Sequence, residues 1–303
     1  NVADSNATTF TLGTYNGSIT GGGAGDTFNV ALSALTTADT IDAAGGTDTL
    51  NITGGGTIAA LDTTLTNVSN LENITLGAGT TLTGGTRNFN ITGSTGNDHF
   101  TYAASNFTSA DIIDGNGGTD AMTLTGGGSA DVSGVTDVDT LSLGAATAVT
   151  IDDLNIDITG SSGADELIID ESNFSGGSDS FNGAGGSDTL TINDANNSGI
   201  TANATQLDGT NMRGIDVIRI SGNGTNSLTL NNAFVDSSDS DIVTVNLNGS
   251  NLATLVTTGV AGTVSITGSA SEAVTLGSGA ANANIAVAAA IAPTLRWVII
   301  TMR

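Results

Sequence analysis

Short runs in which every second residue is apolar recur along this chain, each following a turn of Gly, Ser, Asn, Thr and Asp. The clearest stretch is Ile91 to Thr125. There Gly93-Ser94-Thr95-Gly96-Asn97-Asp98 leads into His99-Phe100-Thr101, and Gly115-Asn116-Gly117-Gly118-Thr119-Asp120 leads into Ala121-Met122-Thr123. Both fit one template, Gly-x-x-Gly-x-Asp-x-U-x, in which U is a large apolar residue. Alternation of period two belongs to strands with one buried face. Apolar residues never keep helical spacing over a long window, so the pattern predicts an all-β chain.

The pair of turns occurs three times. Asp98 lies 72 residues after Asp26, and Asp165 lies 67 after Asp98. Within each pair the template aspartates are 22 or 23 residues apart: Asp26 and Asp48, Asp98 and Asp120, Asp165 and Asp188. The first turn of unit one, Gly21 to Asp26, carries Ala24 where the template has its second glycine. The U residues Phe28, Leu50, Phe100, Met122, Leu167 and Leu190 are apolar throughout. So, or aromatic, are the residues two further on: Val30, Ile52, Tyr102, Leu124, Ile169 and Ile192. Each unit closes on an apolar-acid-x-apolar motif around Glu72, Asp139 or Asp216, acids expected to be solvated.

Constant spacing with varied filler predicts a coil rather than a β-sandwich, which would show antiparallel hairpin turns instead. A winding of about 22 residues would bring each template aspartate back to the same angular position one layer higher, about 4.8 Å away. The expected fold is a parallel β-helix or β-roll solenoid of about 13 to 15 layers. Its predicted layout is a cap strand around Phe10 in residues 1–18 and one elongated solenoid over 19–284. The solenoid divides into units 19–90, 91–157 and 158–240 and a degenerate fourth, 241–284, where Ser271 replaces the aspartate. An apolar tail, 285–303, follows.

Charge narrows the functions available. Thirty acidic residues face five arginines, with no lysine, for a net charge of −25. Such a chain has no basic face for nucleic acid and is repelled by anionic membranes. The apolar stretch Ile285 to Ile300 is broken by Pro293 and Arg296, so no membrane span is expected. Cysteine is absent, and residue 1 is Asn, which points to a processed form or a piece of a longer chain.

The six paired nonapeptides resemble the RTX (haemolysin-type) calcium-binding repeats. The likeness is greatest to the Thr/Ser/Gly/Asn-rich bacterial surface-layer and surface-matrix proteins of that type. This resemblance implies Gly/Asp-rich calcium-binding turns, an extracellular or bacterial cell-surface location, and self-assembly of the chain into a sheet, layer or filament. The residues support Ca2+ independently: glycines free the turn to aim carbonyls inward, and carboxylates supply hard oxygen ligands. Two unbridged carboxylates about 5 Å apart would repel by roughly 3 kcal/mol at an effective dielectric near 20. The expected ligands are Asp26, Asp48, Asp98, Asp120, Asp165 and Asp188. Asp39, Asp111 and Asp179 stand second, and Asp42 and Asp114 are weaker because unit three has Asn182 there. The competing reading of the same aspartates is turn capping without metal.

Catalysis is not expected. The chain has one His, at an outward strand position, and two Tyr, and nowhere do a nucleophile, a base and an orienting group gather at readable spacing. The structural reading therefore has self, packed laterally or end to end, as the main partner, with cell-surface polysaccharide as the other partner class. The alternative is the stalk of a secreted adhesin or RTX-type exoprotein.

Overall fold

The computed structural model describes residues 6–14, 16–152, 156–174, 180–222, 224–247, 252–258 and 260–268, and the strands Val274–Leu276, Asn284–Val287 and Leu295–Trp297. It is a parallel β-solenoid of about 11 turns. That is fewer than the 13 to 15 layers expected, because windings are not uniform. The step between stacked residues is 17 from Asn73 to Asn90 and 31 from Phe181 to Met212.

The chain forms two compact units, Asn1–Gly126 with Ala130–Ser142, and Gly127–Ser129 with Leu143–Arg303. In the first, strands Thr9–Thr11, Thr27–Ala31, Thr49–Thr53, Asn73–Leu76, Asn90–Thr92, Ile112–Asp114 and Val135–Thr136 stack in one sheet. Ser18–Thr20, Thr40–Asp42 and Val68–Ser69 make a second, and Gly56–Ile58, Thr80–Thr83, His99–Ala103 and Ala121–Thr125 stack in a third. In the second unit, Thr147–Ile151, Glu166–Asp170, Thr189–Asn193, Val217–Ser221, Ile242–Asn246, Thr263–Thr267 and Asn284–Val287 form the longest stack. Leu252–Thr258, Val274–Leu276 and Leu295–Trp297 pair in another. Residues 285–287 of the strand Asn284–Val287 and the whole of Leu295–Trp297 thus fall among the residues, 285–303, read from sequence as an apolar tail. Ser271, the remainder of that tail and Asp179 lie outside the described residues.

Register follows the template. Phe28 pairs with Leu50, Phe100 with Met122 and Leu167 with Leu190, all in parallel, and all six are buried. The residues two further on pair likewise and are also buried. Each fully buried Leu or Phe contributes roughly 1.5–3 kcal/mol, and the in-register column makes one apolar core per winding. The Phe10 ring stacks on Phe28 at 5.1 Å between centroids.

The sequence unit and the winding do not share a period. In the first compact unit the template strands of residues 27–53 lie in one sheet, whereas those of residues 99–125 lie in another. One short winding of 17 residues between Asn73 and Asn90 accounts for the change of face.

Candidate functional site

The template aspartates do stack, in three columns, and the structure defines what their oxygens do. An aspartate immediately precedes each template strand. Its carbonyl takes the ordinary ladder bond from the next winding: Thr49 N–H to Asp26 O is 2.9 Å, Ala121 to Asp98 is 3.0 Å and Thr189 to Asp165 is 2.8 Å. Its N–H faces a turn that offers no carbonyl, and a buried N–H must find an acceptor. The carboxylate of the next winding supplies it. Asp26 N–H donates to Asp48 Oδ1 at 2.6 Å, Asp98 N–H to Asp120 Oδ1 at 2.7 Å and Asp165 N–H to Asp188 Oδ1 at 2.8 Å.

The column extends both ways. Above it, the N–H groups of Thr8, Thr80 and Thr147 donate to Oδ1 of Asp26, Asp98 and Asp165 at 2.8, 2.6 and 2.8 Å. Below it, the N–H groups of Asp48, Asp120 and Asp188 donate to Glu72, Asp139 and Asp216 at 2.9, 2.7 and 3.0 Å. Those three closing acids, expected from the sequence to be solvated, each accept a backbone N–H. Their distances from the second aspartate vary, 24, 19 and 28 residues, so a test of constant spacing passes over them. The closing motif was the available signal.

The two turns of a unit differ chemically. In the first, Oδ2 accepts the N–H four residues back: Gly22 at 2.6 Å, Ser94 at 2.7 Å and Ser161 at 2.6 Å, with the Ser94 and Ser161 hydroxyls adding bonds of 3.0 and 2.9 Å. In the second turn that N–H is captured locally. Ala44 donates to Asp42, Asn116 to Asp114 and Ala184 to Asn182 at 3.2, 2.9 and 3.2 Å, and the donor residues sit at φ 74°, 70° and 71°. Asp48 Oδ2 and Asp188 Oδ2 are left buried without a partner. Burial pushes the carboxyls of Asp48 and Asp120 up from their ordinary value. It pushes Asp188 up to about 7, with the acids Asp165, Asp216 and Asp239 adding to the effect.

Alanine in the left-handed region is strained, so Ala44→Gly or Ala184→Gly is expected to stabilise the chain by about 0.5–1 kcal/mol. Urea unfolding measures this, and a loss of that size would contradict the turn geometry.

Glycine opens the first turn because of the winding beneath. A Cβ at Gly21, Gly93 or Gly160 would lie 2.4, 2.4 or 2.3 Å from the carbonyl oxygen of Ala43, Gly115 or Gly183. The secondary candidates serve local turns. Asp39 accepts Thr36 N–H and Oγ1–H, and Asp111 accepts the same groups of Thr108, with Oδ2 the acceptor in both. Asp42 also accepts the Asn70 amide. His99 lies on its strand with Nε2 3.1 Å from Thr123 Oγ1. Tyr102 is buried, and burial holds its phenol well above the usual value.

These columns do not fit a calcium cage. The ion takes six to eight oxygens, yet both oxygens of Asp26, Asp98 and Asp165 already face N–H groups, whose positive ends repel a cation. The unpartnered Asp188 Oδ2 is buried, and it lies so close to Gly183 that a Cβ there would come within 2.5 Å of it. Among the described residues no three Asp, Glu or His side chains converge as a metal site. Nor is any described helix long and apolar enough to cross a membrane. No family model matches the sequence, and no curated protein or solved structure matches it either.

Proposed function

We propose that the chain is a structural solenoid of an extracellular bacterial surface layer or matrix, which packs laterally against copies of itself. One observation carries this reading. On the outer face of the longest sheet of the first compact unit, Thr9, Thr27, Thr49, Asn73 and Asn90 form one row, and Thr11, Asn29, Asn51, Thr75 and Thr92 form the next. Ten consecutive outward positions across five windings are uncharged in a chain of net charge −25. The amides pair along the rows, Asn51 with Asn29 at 2.9 Å and Asn90 with Asn73 at 3.1 Å. An uncharged face of this kind can meet another without bringing like charges together.

Calcium belongs, on this reading, between chains as a counter-ion to exposed acids such as Asp137 and Asp157 rather than inside the fold. The adhesin-stalk alternative shares the repeat code and needs no lateral contact. Light scattering and electron microscopy of the purified chain separate the two, with calcium or chelator present. Sheets or filaments support the scaffold, and a monodisperse chain that binds glycan supports the stalk. Thr49→Lys with Thr75→Lys is expected to block lateral growth and leave the circular dichroism spectrum unchanged.

A further inference from the structure

We infer that the acid columns are metal-independent clamps that fix which winding stacks on which, and that what they require is an acceptor oxygen rather than a charge. The nine bonds from Thr8, Thr80 and Thr147 down to Glu72, Asp139 and Asp216 all run from a backbone N–H at a strand start to a side-chain oxygen of the following winding. A tenth bond has the same form with a neutral partner. Ile200 N–H donates to Asn226 Oδ1 at 3.0 Å, across 26 residues, and Asn226 begins the strand Asn226–Asn231 with no exposed surface. An amide places the same carbonyl-type oxygen at the same point and carries no charge. A cation site would not make that exchange freely, since calcium affinity depends on the count of charged ligands.

The clamp also explains the polarity of the columns. Each carboxylate reaches back toward the preceding winding, so one member serves as acceptor above and its own N–H as donor below. Because every bond joins residues 18 to 28 positions apart, a slip of one residue in any winding would break the bonds on both sides of it.

The test uses the full chain with Asp120→Asn and Asp120→Ala, because Asp120 accepts the Asp98 N–H through Oδ1 and an amide can keep that oxygen in place. The chains are melted by circular dichroism in calcium and in chelator, at a protein concentration where light scattering shows no assembly. The wild type is expected to melt at the same temperature in both buffers, and Asp120→Asn is expected to stay close to it. Asp120→Ala strands the N–H of Asp98 and should lose on the order of 3–6 °C. A wild type that unfolds in chelator and is restored by calcium overturns the inference. So does an Asp120→Asn chain that falls as far as Asp120→Ala in either buffer. Should Asp120→Ala fail to fold, the wild-type comparison and Asp120→Asn still decide.

Discussion

The chain is expected to become more stable as pH falls from about 8 to about 5, the reverse of ordinary acid denaturation. Asp188 carries most of this. Burial pushes its folded carboxyl up to about 7, above the ordinary value of 3.8. A raised acid contributes stability that is complete below the unfolded value and is lost as pH rises through the folded one. Between those limits the folded chain holds a proton that the unfolded chain has released. The slope approaches about 1.4 kcal/mol per pH unit below the folded value, about 3 kcal/mol at most between pH 8 and pH 5. Asp48 and Asp120 act in the same sense. Asp170 works the other way, since its bonds from Ser172 hold its carboxyl below the ordinary value and its contribution is lost as pH falls further. Denaturant midpoints across pH measure the effect. Asp188→Asn should flatten the profile and raise stability near pH 8, whereas Asp157→Asn, which removes an equal but exposed charge, should leave the slope in place. A profile that rises toward pH 8 would contradict the burial of an uncompensated carboxyl.

Glycines of the same template rank are expected to differ sharply. Gly118 and Gly186 sit at φ 126° and 123°, and a Cβ there would lie 2.8 and 2.5 Å from backbone of the winding above. Left-handed strain and steric overlap together predict a loss of about 3–5 kcal/mol for Gly118→Ala or Gly186→Ala. Gly96 occupies the corresponding place in a first turn. A Cβ there meets nothing closer than 3.4 Å, and its backbone is not left-handed. Gly96→Ala should cost less than about 1 kcal/mol, in keeping with Ala24 at that position of unit one. Equal losses at Gly96 and Gly118 would show that the two turns are not distinct.

Much of the fold was legible because spacing and alternation report directly on stacking. The step of 22 placed Phe28 over Leu50 and Phe100 over Met122, and a single strand period then assigned the inside and outside of each winding. The layer count was not legible. It depends on the length of linking segments such as that between Phe181 and Met212, which carry no template. Column membership was half visible. Asp26, Asp48 and their counterparts repeat at fixed spacing, whereas Glu72, Asp139 and Asp216 share only the closing motif, at varying distances, and Asn226 joins by geometry alone. The difference between the two turns was written in the residue immediately before the template. Asp42, Asp114 and Asn182 take the N–H that would otherwise have reached the second aspartate. The sequence shows an acid near a glycine turn, and only the structure shows which N–H it accepts.

Hydrogen exchange at the amides of Asp26, Asp98 and Asp165, followed in chelator, reads the clamps without any substitution. Each amide should exchange as slowly as those of the strand residues that follow it, with no change on adding calcium. Exchange at the rate of an open loop, slowing only once calcium is present, would show that an ion and not a backbone bond holds these windings together.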